Sequence, residues 1–267
     1  MMLPLIIEPA DLHTELANPA LRIVDLCNEQ SYAQGHLPGA VSVTPQSIMA
    51  NTPPAVGKLP DAAHLNALFE RLGLTPDTHV VVYDDEGGGW AGRFIWLLDV
   101  IGHQNYSYLN GGLIAWKAEG LPLTTEVPHI APVPHTLHLH PKPFTMSLDD
   151  IVSRLGDESL VIWDARSPAE FRGEKVFAQR GGHIPGATNC EWTQLMDQQR
   201  QLRIRSDAKA ILANLGIVRG KDIITHCQTH HRSGFTYLVG KSLGFSIRAY
   251  DGSWSEWGNH PSTPIEQ

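Results

Sequence analysis

A chain of 267 residues exceeds the usual single domain and admits either two domains of about 130 residues or one large α/β domain. Hydrophobic residues make up 42% and charged residues 18%, a globular composition far from that of disordered chains. The net charge of −8, with 28 acidic residues against 20 scattered basic ones, argues against a phosphate-neutralising nucleic-acid surface. No membrane span is expected, because the longest apolar run, residues 94–101, is short and contains Asp99. Residues 1–8 lack a basic start, and their apolar run is broken by Pro4 and closed by Glu8, so they do not read as a signal peptide. Cys27, Cys190 and Cys227 are an odd count without a CxxC pair, which suggests neither a disulfide framework nor a zinc site and fits a reducing cytoplasm.

In chain order, residues 22–26 read as a strand, 61–72 as a helix, 79–83 as a strand, 91–101 as a helix and 106–109 as a strand. The pattern then returns at 160–164, 207–215, 222–226, 233–243 and 247–250. The residues return with it. Ile23-Val24-Asp25 reappears as Ile162-Trp163-Asp164, and Gly35-His36-Leu37-Pro38-Gly39-Ala40 as Gly182-His183-Ile184-Pro185-Gly186-Ala187. Residues 68–84 match 211–227, and Asn110-Gly111 with Trp116 matches Asp251-Gly252 with Trp257. An ordered series of four matches implies a duplication, with extra residues near 172–181 in the second copy. The expected division is a first domain over 1–124, a proline-rich linker over 125–143 and a second domain over 144–267. The proline density around the linker favours an extended, semi-rigid strap, and His129, His135, His138 and His140 read as solvated linker residues.

Strands alternating with helices predict an α/β fold in which each copy is a parallel sheet flanked by helices on both faces. Ligands of such sheets bind beyond the carboxyl ends of the strands, which points to the loops 83–90 and 226–232. In the second loop Cys227 ends a strand and precedes a helix, where curled backbone N–H groups and the helix N-terminus favour a thiolate and a bound anion. Arg232 offers a fork of donors for an oxyanion, and Gln228, Thr229, His230 and His231 complete the loop. His230 and His231 are adjacent, so their side chains must diverge. The first loop holds Asp84 at the cysteine position and has no cation among residues 84–90, so the first domain is expected to be catalytically inactive and to wall one side of the cleft. Features common to both copies, such as His36 and His183, read as scaffold. Cys27 and Cys190 read as small buried hydrophobes.

Two copies of the Gly-His-x-Pro-Gly-Ala framework, a cysteine loop only in the second, and an Asn-Gly or Asp-Gly turn ahead of a tryptophan near each end resemble the tandem rhodanese family over nearly the whole chain. The resemblance implies two rhodanese-like domains, a persulfide on Cys227, no metal or organic cofactor, a small-molecule sulfur donor, and cyanide, a thiol or a thiol protein as acceptor. It also places Arg166, from the stretch Asp164-Ala165-Arg166, against the donor. The loop 227–232 departs from the Cys-Arg-Lys-Gly-Val-Thr run common in thiosulfate-type members and from the Cys-Gly-x-Gly-Val-Thr run of mercaptopyruvate-type members. Thiosulfate is the expected donor, because Arg232 and two histidines suit a dianion, and 3-mercaptopyruvate is the alternative. A cysteine phosphatase or arsenate reductase is disfavoured by loop length, since Cys-x4-Arg is one residue shorter than a phosphate-cradling Cys-x5-Arg. A non-catalytic binding module would leave Cys227 and Arg232 unexplained.

Overall fold

The computed structural model describes residues 3–134 and 136–267. Met1, Met2 and His135 lie outside the described residues, and with them part of the signal-peptide reading and one of the linker histidines.

The first sheet has the order β1-β5-β4-β2-β3, with β1 at Ile6–Ile7, β2 at Leu21–Asp25, β3 at Ala40–Ser42, β4 at His79–Tyr83 and β5 at Tyr106–Leu109, and every pairing is parallel. The central β4 is buried along its whole length, as a parallel strand covered on both faces must be, which is why it is written as His79-Val80-Val81-Val82-Tyr83. The helices of this half are α1 Pro9–Glu15, α2 Glu29–Gln34, α3 Ala62–Arg71, α4 Gly89–Val100 and α5 Gly112–Ala118. Asp61 caps α3 by accepting the His64 N–H at 2.8 Å.

The second half follows with α6 Leu148–Ser153, β6 Leu160–Asp164, α7 Pro168–Phe171, β7 Thr188–Asn189, a hairpin of β8 Met196–Asp197 and β9 Arg203–Ile204, α8 Ala208–Asn214, β10 Asp222–His226, α9 Arg232–Ser242, β11 Ser246–Ala249 and α10 Ser253–Trp257. Its parallel sheet runs β11-β10-β6-β7. Asp164 pairs in register with His226, as Asp25 does with Tyr83, so in each half the loops after the two central strands leave the sheet side by side. The longer strands and helices fall where their periodicity predicts. The strands of two or three residues, the helices α1, α2, α5, α6, α7 and α10 and the β8-β9 hairpin are not signalled by the sequence pattern, because they are short and are placed by tertiary contacts.

Between the halves α4 lies against α9. The contact is backbone against backbone: a Cβ on Gly92 would fall 2.2 Å from the Gly234 carbonyl oxygen, and one on Gly234 would fall 2.4 Å from that of Gly89. Asp99, the charge inside the apolar run, is consumed here, accepting from Tyr237 at 2.7 Å and Lys241 at 2.9 Å across the boundary. Each half also reaches over to the other's terminal turn. The Leu59 N–H donates to Asp251 at 2.8 Å, and the Ile204 N–H donates to Asn110 at 2.9 Å. Arg203 on the hairpin adds ion pairs to Glu8, at 2.8 Å, and to Glu119. The segment joining the halves is pinned along the first: the Val133 N–H donates to Glu70 O at 3.1 Å and the His140 N–H to Val100 O at 2.7 Å.

Replacing a helical glycine with alanine ordinarily stabilises by up to about 1 kcal/mol. Gly92→Ala is expected to reverse that sign and cost about 2 kcal/mol or more, because the added methyl meets carbonyl backbone that cannot yield. Urea unfolding of the variant against the parent checks it.

Candidate active site

Cys227 follows the last residue of β10 and α9 begins at Arg232, so the loop occupies the position predicted for it. Its backbone is held from the first turn of α10. Trp254 N–H donates to Cys227 O at 3.0 Å and Ser255 N–H to Gln228 O at 2.9 Å. Ser253 Oγ accepts the N–H groups of Cys227, at 3.3 Å, and His230, at 3.0 Å, while donating to Tyr250 O at 2.9 Å. His230 and Ser253 both adopt positive φ, near 56° and 53°, a conformation that costs free energy and persists because these bonds over-determine it.

Cys227 is completely buried. Burial alone would push its thiol up, yet Arg232, the hydroxyl and N–H of Ser233, and His231 outweigh it and hold the thiol below its ordinary value. The other two cysteines behave oppositely. Burial, then the Asp25 carboxylate, pushes Cys27 far up, and burial followed by Glu191 pushes Cys190 up to about 11.

The first loop shows what its backbone does unaided. Asp84, at the position matching Cys227, accepts N–H groups from Glu86 at 3.2 Å, Gly87 at 3.1 Å, Gly88 at 2.8 Å and Ala91 at 3.0 Å. A ring of amides thus surrounds an anionic side chain, the nest geometry that serves anions generally. Burial and the neighbouring Glu86 still push Asp84 up to about 6.

Each expected cation has a carboxylate or a cage. Arg232 forms a two-pronged pair with Glu170, Nη1 to Oε2 at 2.6 Å and Nη2 to Oε1 at 2.8 Å. Arg166 is buried, bonded to Asp164 at 2.6 to 3.0 Å and to Gly182 O at 2.8 Å, with its guanidinium 4.2 Å from the Trp254 ring. Any donor contact by Arg166 would have to use what that cage leaves free. The two histidines diverge as expected. His231 Nε2 meets Glu86 of the first half, its ring stacked on Trp90 at 4.0 Å and met edge-on by Trp192 at 5.6 Å. His230 is buried edge-on to Trp96, with Nδ1 2.8 Å from Ser233 Oγ. Burial, reinforced by Arg93 and His231, holds His230 well below its usual range and therefore neutral. Gln228 donates to Phe177 O at 3.3 Å, and the Thr229 carbonyl accepts from Arg93 at 3.4 Å.

Glu170, Ser233, Ser253, Glu86 and Arg93 were absent from the sequence-derived set. Ser253 was within reach of a comparison between copies, since its counterpart Gly112 lacks a side chain, and Ser167-x-x-Glu170 is a legible capping box. Glu86 and Arg93 act across the domain boundary, and no local pattern signals that. A cavity of about 640 Å³ lies at the corresponding mouth of the first half, bordered by Cys27, Asp85, Glu86 and Trp90 rather than by Cys227.

The profile of the Rhodanese-like domain matches the chain twice, over residues 8–119 and 147–260. The chain belongs to the rhodanese family. It is 58% identical to a thiosulfate sulfurtransferase of Azotobacter vinelandii, covering 99% of this chain and 97% of that one, and 56% identical to a thiosulfate sulfurtransferase of Pseudomonas aeruginosa with the same coverage. Among solved structures, the 3-mercaptopyruvate sulfotransferase SseA from Escherichia coli superposes with a TM-score of 0.81 at 26% identity, covering 94% of this rhodanese and 99% of SseA. Two rhodanese domains, each a parallel sheet clothed by helices, are therefore the fold, as the duplication implied.

If Arg232 helps hold the Cys227 thiol down, Arg232→Gln raises it. Alkylation by iodoacetamide is expected to shift to higher pH, because the lost cation had favoured the charged form. The pH dependence of the alkylation rate, with Cys227 identified by peptide mapping, is the check.

Proposed function

We propose that this rhodanese is a thiosulfate sulfurtransferase working through a persulfide on Cys227. The observation that carries the reading is a thiol held below its ordinary value, at a strand-to-helix loop, in the second of two matching domains whose first holds Asp84 there. In the first step the Cys227 thiolate attacks the outer sulfur of thiosulfate. The S–S bond breaks with its electron pair leaving on sulfite, and Cys227 becomes a persulfide. In the second step cyanide, or a thiol, takes the outer sulfur and returns the thiolate, so thiocyanate leaves when cyanide is the acceptor. This scheme is ping-pong. Backbone amides and Ser233 stabilise sulfur anions throughout, and Arg232 supports them through its field.

The choice of thiosulfate is supported by the two thiosulfate sulfurtransferases that share more than half of their residues with this chain. The earlier electrostatic reason, an open cluster of Arg232 and two histidines, loses force once His230 is neutral and the others face carboxylates. The alternative donor is 3-mercaptopyruvate, favoured by the likeness to SseA. The acceptor class includes small thiols and thiol proteins, and a reducing cytoplasm suits an enzyme whose nucleophile must stay reduced. No helix among the described residues is long and apolar enough to cross a membrane.

After incubation with thiosulfate, the parent protein is expected to carry cyanide-releasable sulfur and Cys227→Ala none; unchanged labelling of Cys227→Ala would refute the persulfide. Adding Asp84→Cys to that variant is not expected to restore labelling, since the first loop lacks the Arg232 and Ser233 contacts. A clear advantage of 3-mercaptopyruvate over thiosulfate in kcat/KM would move the assignment to the alternative.

A further inference from the structure

Asp164 closes on Arg166, Glu86 on His231 and Glu170 on Arg232, so three basic side chains near the loop are each matched to a carboxylate. The third pair is the one that bears on donors. Arg232 is the first residue of α9 and the foremost influence holding the Cys227 thiol down, and it retains partial exposure, 19% for its side chain against 3% for Glu170. Glu170 is fixed from both ends: Oε1 and Oε2 take the two guanidinium prongs, while Oε2 also accepts the Ser167 N–H at 3.2 Å and Oγ–H at 2.8 Å. A donor oxyanion entering beside Cys227 therefore meets a guanidinium whose matching face is occupied by a fixed carboxylate.

We propose that Glu170 is a specificity-determining residue of this site: by closing the fork of Arg232 it penalises doubly charged sulfur donors relative to singly charged ones of the same shape. The inference rests on the sulfurtransferase reading above and adds a substrate preference to it. A fixed carboxylate repels a bound anion in proportion to that anion's charge, so the logarithm of the penalty on a dianion is about twice that on a monoanion. The Coulombic contribution of Arg232 to the thiolate remains, since Glu170 orients the guanidinium without replacing it. The two counterparts of this pair in the first half, Ser31 and Trp90, are uncharged, so the device belongs to the half that carries Cys227.

Thiosulfate and methanethiosulfonate test this, because both present a terminal sulfane sulfur on a sulfonyl group and leave as sulfite and methanesulfinate, with charges of two and one. Glu170→Gln keeps the side-chain shape and an oxygen for the Ser167 cap. It is expected to raise kcat/KM roughly tenfold for thiosulfate and roughly threefold for methanethiosulfonate, mostly through KM. Equal changes for the two donors, or a shift toward methanethiosulfonate, overturn the proposal and reduce Glu170 to a prop for Arg232. A second measurement needs no variant. If the cleft discriminates against the dianion, added salt must raise the thiosulfate to methanethiosulfonate ratio of the parent enzyme, whereas an open cationic cleft makes it fall. A falling ratio overturns the proposal even where Glu170→Gln does not fold. Failure of the parent to turn over either donor refutes the sulfurtransferase reading itself, and this inference with it; turnover of both donors without the predicted ratios refutes the role of Glu170 alone.

Discussion

The close crossing of α4 and α9 at Gly92 and Gly234 is the constraint on which the rest of the molecule depends. Each helix begins at the loop that leaves the central strand of its own sheet, so bringing the two helices to backbone contact also brings the two loops face to face. From that approach follow the stacking of Trp90 on His231, the edge contact of Trp96 with His230, and the reach of Arg93 to the carbonyls of Thr229 and His230. Arg93 also holds Ile48 O and Gly57 O in its own half, so a single buried guanidinium ties the loop 227–232 to the first domain. Burial lowers Arg93 to about 10, a shift that leaves it charged at neutral pH. The half that holds Asp84 in place of Cys227 is thus structurally part of the site, and more than a wall beside it.

Within the site, stabilisation of a sulfur anion is divided between backbone and side chains. The Asp84 loop shows that four amides converge on an anion without help from any cation. The Cys227 loop adds Arg232 and the hydroxyl of Ser233 to such a setting, enough to overcome the cost of full burial. Pairing Arg232 with Glu170, His231 with Glu86 and Arg166 with Asp164 keeps much of the field local, while Arg93, held by carbonyl oxygens, adds a charged guanidinium behind the loop. Buried pairs of this kind contribute little net stability, and their value lies in orientation.

Duplication made the chain unusually readable. The repeat, the longer strands and helices and the two facing loops were legible, because hydrophobic periodicity is local and because the copy with Asp84 at the cysteine position served as a control for scaffold. The same comparison could have reached Ser253, whose partner is Gly112. It could not reach Glu170 as the mate of Arg232, since the two lie 62 positions apart and meet only when β6 and β10 pair. Nor could it anticipate the β8-β9 hairpin, whose two-residue strands matter through Ile204 and Arg203 docking on Asn110, Glu8 and Glu119.

The sequence by itself determined a duplicated α/β chain with a cysteine at the strand end of one loop of the second copy, because strand and helix periodicity, turn residues and the identity of the residue at the strand end are all written locally. Only the tertiary structure decided what surrounds that cysteine. Charge in a folded site is a sum over neighbours from every element packed against it, and here Glu86, Glu170, Asp164 and Arg93 arrive from other parts of the chain. The basic residues that stand together in the sequence meet, on folding, partners from other elements, and Arg232 keeps its hold on the thiol while paired with Glu170.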